Sequence, residues 1–180
     1  MIILGIDPGL RTTGWGVIDD RHGKLRFVDC GIVTSTSSVE LSDRLHQLFV
    51  AIRTIVLKYH PNECAVEETI VNKNMRTSLH LAHARAAVIC AVRDVSVAPV
   101  SEYSPTQIKR FVQGDGGADK AAVLKAVSLI LRKPAIAKFD ASDALAAAIT
   151  HSLQPKVSKL GIKDVKRVTI RGGRLIAHAA

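Results

Sequence analysis

The chain opens on a nearly unbroken apolar run from Ile2 to Asp7, the pattern of a strand buried on both faces. Gly14 to Asp19 and Lys24 to Thr34 follow at hairpin spacing, with a turn near Arg21-His22-Gly23, so three antiparallel strands are expected. The period then changes. Leu41, Leu45, Leu48, Ile52, Ile55 and Val56 recur at helical spacing and predict a helix over about residues 42–59, with Pro61 just beyond it. "ECAVEET" (63–69) reads as a short buried strand. A polar loop, "NKNMR", leads into a helix of small residues, roughly 77–93. "VSVAPV" (95–100) reads as another strand, and Ser104-Pro105 starts a helix. "GDGGADK" breaks the chain before a helix over about 120–132, which Lys133-Pro134 ends, and an alanine-rich helix covers about 140–151. The order β-β-β-α-β-α-β-α-α-α implies an α/β fold, with a five-stranded mixed sheet made of a meander followed by helix-connected strands.

Apolar residues make up 47% of the chain, enough for a core. Aromatic residues make up only 4%, so few rings are available to stack on bases. The charge is uneven. Residues 1–153 carry 18 Lys or Arg against 15 Asp or Glu, a balance of +3, and residues 154–180 carry 7 against 1, a balance of +6. A polyanionic partner fits that basic tail, and so does a merely solvated one. One domain is expected over 1–153, followed by a basic, flexible tail over 154–180, with a small hairpin around Gly172-Gly173 as the alternative. Cys30, Cys64 and Cys90 form no CxxC pair, which argues against disulfides and zinc and suggests thiols mostly in the core. No apolar run is long enough to span a bilayer, and a cytoplasmic location is expected.

Four carboxylates stand in apolar surroundings. Asp7 ends the first strand between Gly5 and Gly9, which allow a backbone or a ligand to come close. One of Glu67 and Glu68 is expected to face the core side of its strand, the alternative being a strand so short that both reach solvent. Asp140 and Asp143 are spaced i, i+3 and share a helix face, where favourable placement near a helix N-terminus would also account for them. If all of them converge they repel one another unless a cation neutralises them, and an all-oxygen set suits Mg²⁺ or Mn²⁺. Two such ions would activate water and stabilise the leaving oxygen of a phosphodiester.

"GIDPGLRTTGWGVI", "AVEET" about 60 residues on, and "DASDALAAAITH" together resemble the RuvC-type Holliday junction resolvases in order, spacing and wording, over about residues 1–153. The resemblance implies a ribonuclease H-like fold, a homodimer, and a Mg²⁺-dependent endonuclease with two ions per subunit that nicks two opposed strands of four-way junction DNA. It also implies partnership with the RuvA-RuvB branch-migration complex. Carried over, the catalytic and metal-binding residues fall on Asp7, Glu67, Asp140 and Asp143.

Candidate DNA contacts are Lys109 in "PTQIKRF" and Lys120 in "GGADK", at positions where the family's lysines act at or near the active site. Lys73 and Arg76 in the loop after Glu67 could also contact the backbone. At Ile70 this chain departs from the family, which commonly carries an aromatic residue there. Isoleucine can wedge between bases but offers no π-face. His80 and His83 lack companions for a metal site, and His151 is expected to cap the last helix in a structural role. Three other functions remain compatible with the residues. They are a phosphotransferase of the actin and sugar-kinase group, a non-catalytic DNA-binding module, and a related nuclease acting on another branched or structured nucleic acid.

Overall fold

Alternation along β1 (Ile2–Asp7) divides the protein into two layers. Ile3 packs with one core cluster and Leu4 and Ile6 with the other, because successive strand residues face opposite sides of the sheet. In this computed structural model the described residues are 1–69, 74–114, 119–133, 136–159, 165–171 and 174–179, with side chains described as far as residue 154. β2 (Thr12–Arg21) and β3 (Lys24–Thr34) continue the chain as the expected antiparallel meander, with β1 on β2 and β2 on β3. β4 (Glu63–Glu67) and β5 (Val100–Tyr103) add parallel to β1, in the sheet order β3-β2-β1-β4-β5.

One face of the sheet is covered by α1 (Leu41–Tyr59) and α2 (Met75–Val95), which supply Ile52, Val56, Val88 and Val92 to the core. The other face is covered by α3 (Pro105–Gln113), α4 (Lys120–Ile130) and α5 (Phe139–Lys159). The helix starts follow local chemistry. Ser104 and Gln107 form a capping box with Pro105 in the first turn of α3, Asp119 caps α4, and Asn74 caps α2.

Several boundaries differ from the sequence expectation. β5 starts at Val100, not at Val95, because α2 continues through Val95 and Pro99 has no N–H to give the ladder. The Pro99 carbonyl nevertheless accepts from the Cys64 N–H, at 2.9 Å. α5 was expected to end at His151, ahead of Pro155, but it runs on to Lys159; the proline leaves only one backbone rung unmade. His151 is therefore no helix cap. It is buried, with Nδ1 2.8 Å from the Tyr103 hydroxyl and Nε2 2.5 Å from Glu63 Oε2. Of the three thiols only Cys64 is fully buried; Cys30 is half-buried and Cys90 is exposed on α2. Beyond α5, β6 (Val165–Arg171) and β7 (Arg174–Ala179) pair as an antiparallel ribbon. No helix among the described residues is long and apolar enough to cross a membrane.

Candidate active site

The site is built where three elements end together. Asp7 terminates β1 and Glu67 terminates β4, each one residue past the paired Ile6 and Val66 of two neighbouring parallel strands. Alternation sets their side. Asp7 follows Ile3 and Gly5, and Glu67 follows Ala65, toward the layer that holds α5. This decides between Glu67 and Glu68, whose backbone N–H bonds to the Tyr103 carbonyl at 2.8 Å.

α5 lies unusually close to the sheet because three strand positions facing it are glycine. A Cβ on Gly5 would overlap the Ala144 carbonyl oxygen, and one on Gly14 would overlap the Asp140 carbonyl oxygen. Gly14 is the residue paired with Asp7 across β1 and β2. The same glycine that lets the helix in thus sets its first turn beside Asp7. Thr13 fixes the turn after Asp7. Its hydroxyl donates to the Gly9 carbonyl at 2.8 Å and accepts from the Gly9 N–H at 3.2 Å. The sequence reading noted Gly5 but missed Gly14 and Thr13, whose only signal is a small or hydroxylated residue in an otherwise apolar strand.

Carboxylate oxygens of Asp7, Asp140 and Asp143 lie within 4.8 Å of one another, a group that could hold a metal ion. Glu67 flanks this trio and is close enough to feel it. Burial first, then the charges of Asp7 and Asp143, push the Glu67 carboxyl up to about 8. Burial first, then Asp143 and Asp140, push Asp7 up to about 7. Burial also raises Asp143, against the pull of Lys120. Lys120 Nζ is 3.3 Å from Asp143 and 4.0 Å from Asp140. Its own pKa is raised, because Asp143, Asp7 and Asp140 together outweigh the downward push of burial.

One lysine does not balance four crowded acids. With only protein present, burial and mutual repulsion carry the titration of Asp7 and Glu67 up from the carboxylate range toward neutral pH, where an exposed carboxyl would be ionised. A hard divalent cation fits this donor set, which is all oxygen and short of positive charge.

The remaining candidates divide. Lys109, half-buried on α3, lowers the pKa of both Glu67 and Asp143 by its charge, so it borders the site without pairing directly. Arg76 is exposed in the first turn of α2. Arg85, also on α2, is engaged in an ion pair with Glu102 of β5. Ile70 and Lys73 lie outside the described residues, as do residues 115–118 of the glycine-rich break. An exposed aromatic, Phe139, stands one residue before Asp140 and was not singled out from the sequence.

Comparison with known proteins decides the family. The family model described as "Crossover junction endodeoxyribonuclease RuvC" matches residues 3–151. This chain belongs to the RuvC family. The RuvC of Methylobacterium radiotolerans is 48% identical over 150 residues, covering 83% of this chain and 72% of the relative. The RuvC of Thiobacillus denitrificans is 43% identical over 178 residues, covering 98% of this chain and all of the relative. That match extends through the basic segment, which the sequence reading placed outside the resemblance. Among solved structures, Thermus thermophilus RuvC in complex with Holliday junction substrate superposes with a TM-score of 0.80 at 29% identity, covering 88% of this chain and 96% of that one. The yeast mitochondrial Holliday junction resolvase Ydc2, 12% identical with a TM-score of 0.53, shares the fold. The sheet and its flanking helices are thus those of the ribonuclease H-like RuvC fold.

Proposed function

We propose that this protein is a structure-selective endonuclease that resolves Holliday junctions by nicking two opposed strands. The observation that carries this reading is the convergence of Asp7, Asp140 and Asp143, flanked by Glu67, in a chain of the RuvC family. Support for the substrate comes from the Thermus thermophilus relative seen with a junction.

The reaction adds water across one P–O ester bond and leaves a phosphomonoester and a free hydroxyl. Asp7, Glu67, Asp140 and Asp143 would hold Mg²⁺, two ions per subunit, with Mn²⁺ able to substitute. Bound there, the ions would supply an ionised water and stabilisation of the leaving oxygen. Lys120, beside Asp143, and Lys109, whose charge reaches Glu67 and Asp143, would add positive charge where the scissile phosphate gains negative charge. Arg76, Lys73 and Ile70 would contact DNA along the segment after Glu67.

A homodimer suits a junction with two equivalent strands, since an isologous pair presents two equivalent sites. α2 offers a face for it. Met75 and Leu79 are exposed there, and Ala82 and Ala86 continue the same side at helical spacing. Partnership with RuvA-RuvB and action in the cytoplasm follow from the same family reading. Mapping both strands of each arm of a four-way junction tests the function, and nicks at symmetry-related positions in two opposed strands are expected. Scattered nicks in all four strands would contradict it.

A further inference from the structure

Phe139 is the aromatic ring that the fold leaves in solvent. The chain has four Phe, two Tyr and one Trp, all among the described residues. Tyr103 and Phe111 are buried, and Phe27 packs against the same cluster with Lys133 Nζ over its ring. Trp15 and Tyr59 pack on each other, with ring centroids 5.7 Å apart, and join Phe49 against the core on the opposite face of the sheet. Phe139 alone is exposed, at 49%. A single exposed apolar side chain is ordinary on a protein surface. What sets this one apart is its place.

Phe139 is the first residue of α5 and directly precedes Asp140. Asp143 follows four positions later, so the two share a helix face with Cβ atoms about 5–6 Å apart. Helix side chains lean toward the N-terminus, which carries the ring outward past the carboxylates and away from the body of the helix. The turn that bears it is fixed. The Ser142 N–H donates to the Lys138 carbonyl at 3.1 Å, Ala141 and Ser142 are buried, and Gly14 lets Asp140 sit close against β2. Lys138 is exposed beside the ring, and Lys120, also exposed, reaches Asp143 from α4. A ring with no hydrogen-bonding group therefore stands among cations at the rim of a site suited to a phosphodiester. The lysines match the phosphates. The ring matches the flat face of a base, the large apolar surface that a nucleotide offers. In a paired, stacked arm that face is covered, so contact requires the base to leave its stack.

We propose that Phe139 is a substrate-contacting residue that stacks on an unstacked base beside the scissile phosphate and so holds the strand open for cutting. The proposal rests on the resolvase reading and adds to it the residue that favours the open strand. The contact itself involves no metal ion, so it can also be read in chelator.

Single-turnover cleavage of a four-way junction at saturating enzyme, compared per mole of folded protein, tests this with wild type, Phe139→Leu and Phe139→Tyr. Leucine keeps apolar bulk and loses the π-face, whereas tyrosine keeps the ring. Loss of one base–aromatic stack is expected to slow Phe139→Leu by about 5- to 150-fold, with Phe139→Tyr near wild type. On a junction whose bases beside the mapped nick are mismatched, the strand is already open and the leucine variant should approach the wild-type rate. In chelator, 2-aminopurine placed beside that nick should gain fluorescence on binding wild type or Phe139→Tyr, and gain less with Phe139→Leu. A leucine variant that cuts the paired junction as fast as wild type overturns the proposal. So does a tyrosine variant as slow as the leucine variant, a leucine defect that persists undiminished on the mismatched junction, or an equal fluorescence gain in all three proteins. In each of those cases wild type still cuts and the resolvase reading stands. A wild type that neither binds nor cuts the junction overturns that reading as well.

Discussion

Lys120 Nζ lies 3.3 Å from Asp143 Oδ2 and 4.0 Å from Asp140 Oδ1, so one ammonium group bridges both acids of α5. It reaches them from the first turn of α4, a helix started by the Asp119 side chain accepting from the Ala122 N–H at 2.7 Å. Removing this charge leaves the crowded carboxylates less balanced and takes a cation from the scissile phosphate. Lys120→Ala is expected to slow single-turnover junction cleavage by about 10²–10³-fold while changing junction affinity much less. Equal losses in rate and affinity would instead mark Lys120 as an ordinary phosphate contact.

Asp7 and Glu67 give the cation-free protein a pH dependence whose sign is fixed. Their folded-state values, about 7 and about 8, lie above the ordinary 3.8 and 4.5. The folded state therefore binds these protons more tightly than the unfolded chain. The stability they lend is full below the ordinary values and is lost as pH rises through the folded ones. In chelator, the melting temperature is expected to fall from about pH 5 to about pH 8. Mg²⁺ binds the ionised form, so its stabilising shift should grow over the same interval. For a chain of this size each kcal/mol moves Tm by about 2–4 °C. Thermal melts with chelator and with Mg²⁺ check this, and a Mg²⁺ shift that does not grow with pH would oppose it.

Gly14 couples stability to geometry. A Cβ there meets the Asp140 carbonyl oxygen, so Gly14→Ala must push the start of α5 away from β1 and β2. Overpacking of this kind costs about 1–3 kcal/mol. The displacement also separates Asp140 and Asp143 from Asp7, and misplacement by about 1 Å costs on the order of 10²-fold in rate. Denaturant unfolding and cleavage at saturating Mg²⁺ should both show the loss. An unstable but fully active variant would mean that α5 need not be so close.

His151 gives the opposite dissociation. It joins Tyr103 and Glu63 about 12 Å along α5 from Asp143, by the helical rise over eight residues. His151→Leu takes a hydrogen-bond partner from both the buried Tyr103 hydroxyl and Glu63 and is expected to cost about 1–3 kcal/mol. Cleavage by the folded fraction should stay near wild type, which unfolding curves and single-turnover rates can separate.

The carboxylate set was legible because each acid interrupts an apolar segment, and burial of that kind calls for a partner. The meander was legible from alternation and turn residues, and the start of α3 from Ser104-Pro105. What was not legible was tertiary. Sequence treated Lys109 and Lys120 alike, yet only Lys120 reaches the α5 acids directly, since that depends on how α4 docks. β-branched residues in "VSVAPV" suggested a strand, but α2 claims Val95 and the ladder begins after Pro99. Pro155 suggested a helix end, but α5 continues through it. The role of Gly14 depends on a helix more than a hundred residues away in the chain and has no local signature.

The most direct measurement is cleavage of a mobile synthetic four-way junction with Mg²⁺, beside a linear duplex of the same sequence, by wild type and by Asp7→Asn. The expected result is paired nicks in opposed strands of the junction with wild type, with the duplex left intact and no cutting by the variant. A wild type that binds the junction tightly and leaves it uncut, or an Asp7→Asn variant that cuts as wild type does, would contradict a nuclease centred on Asp7.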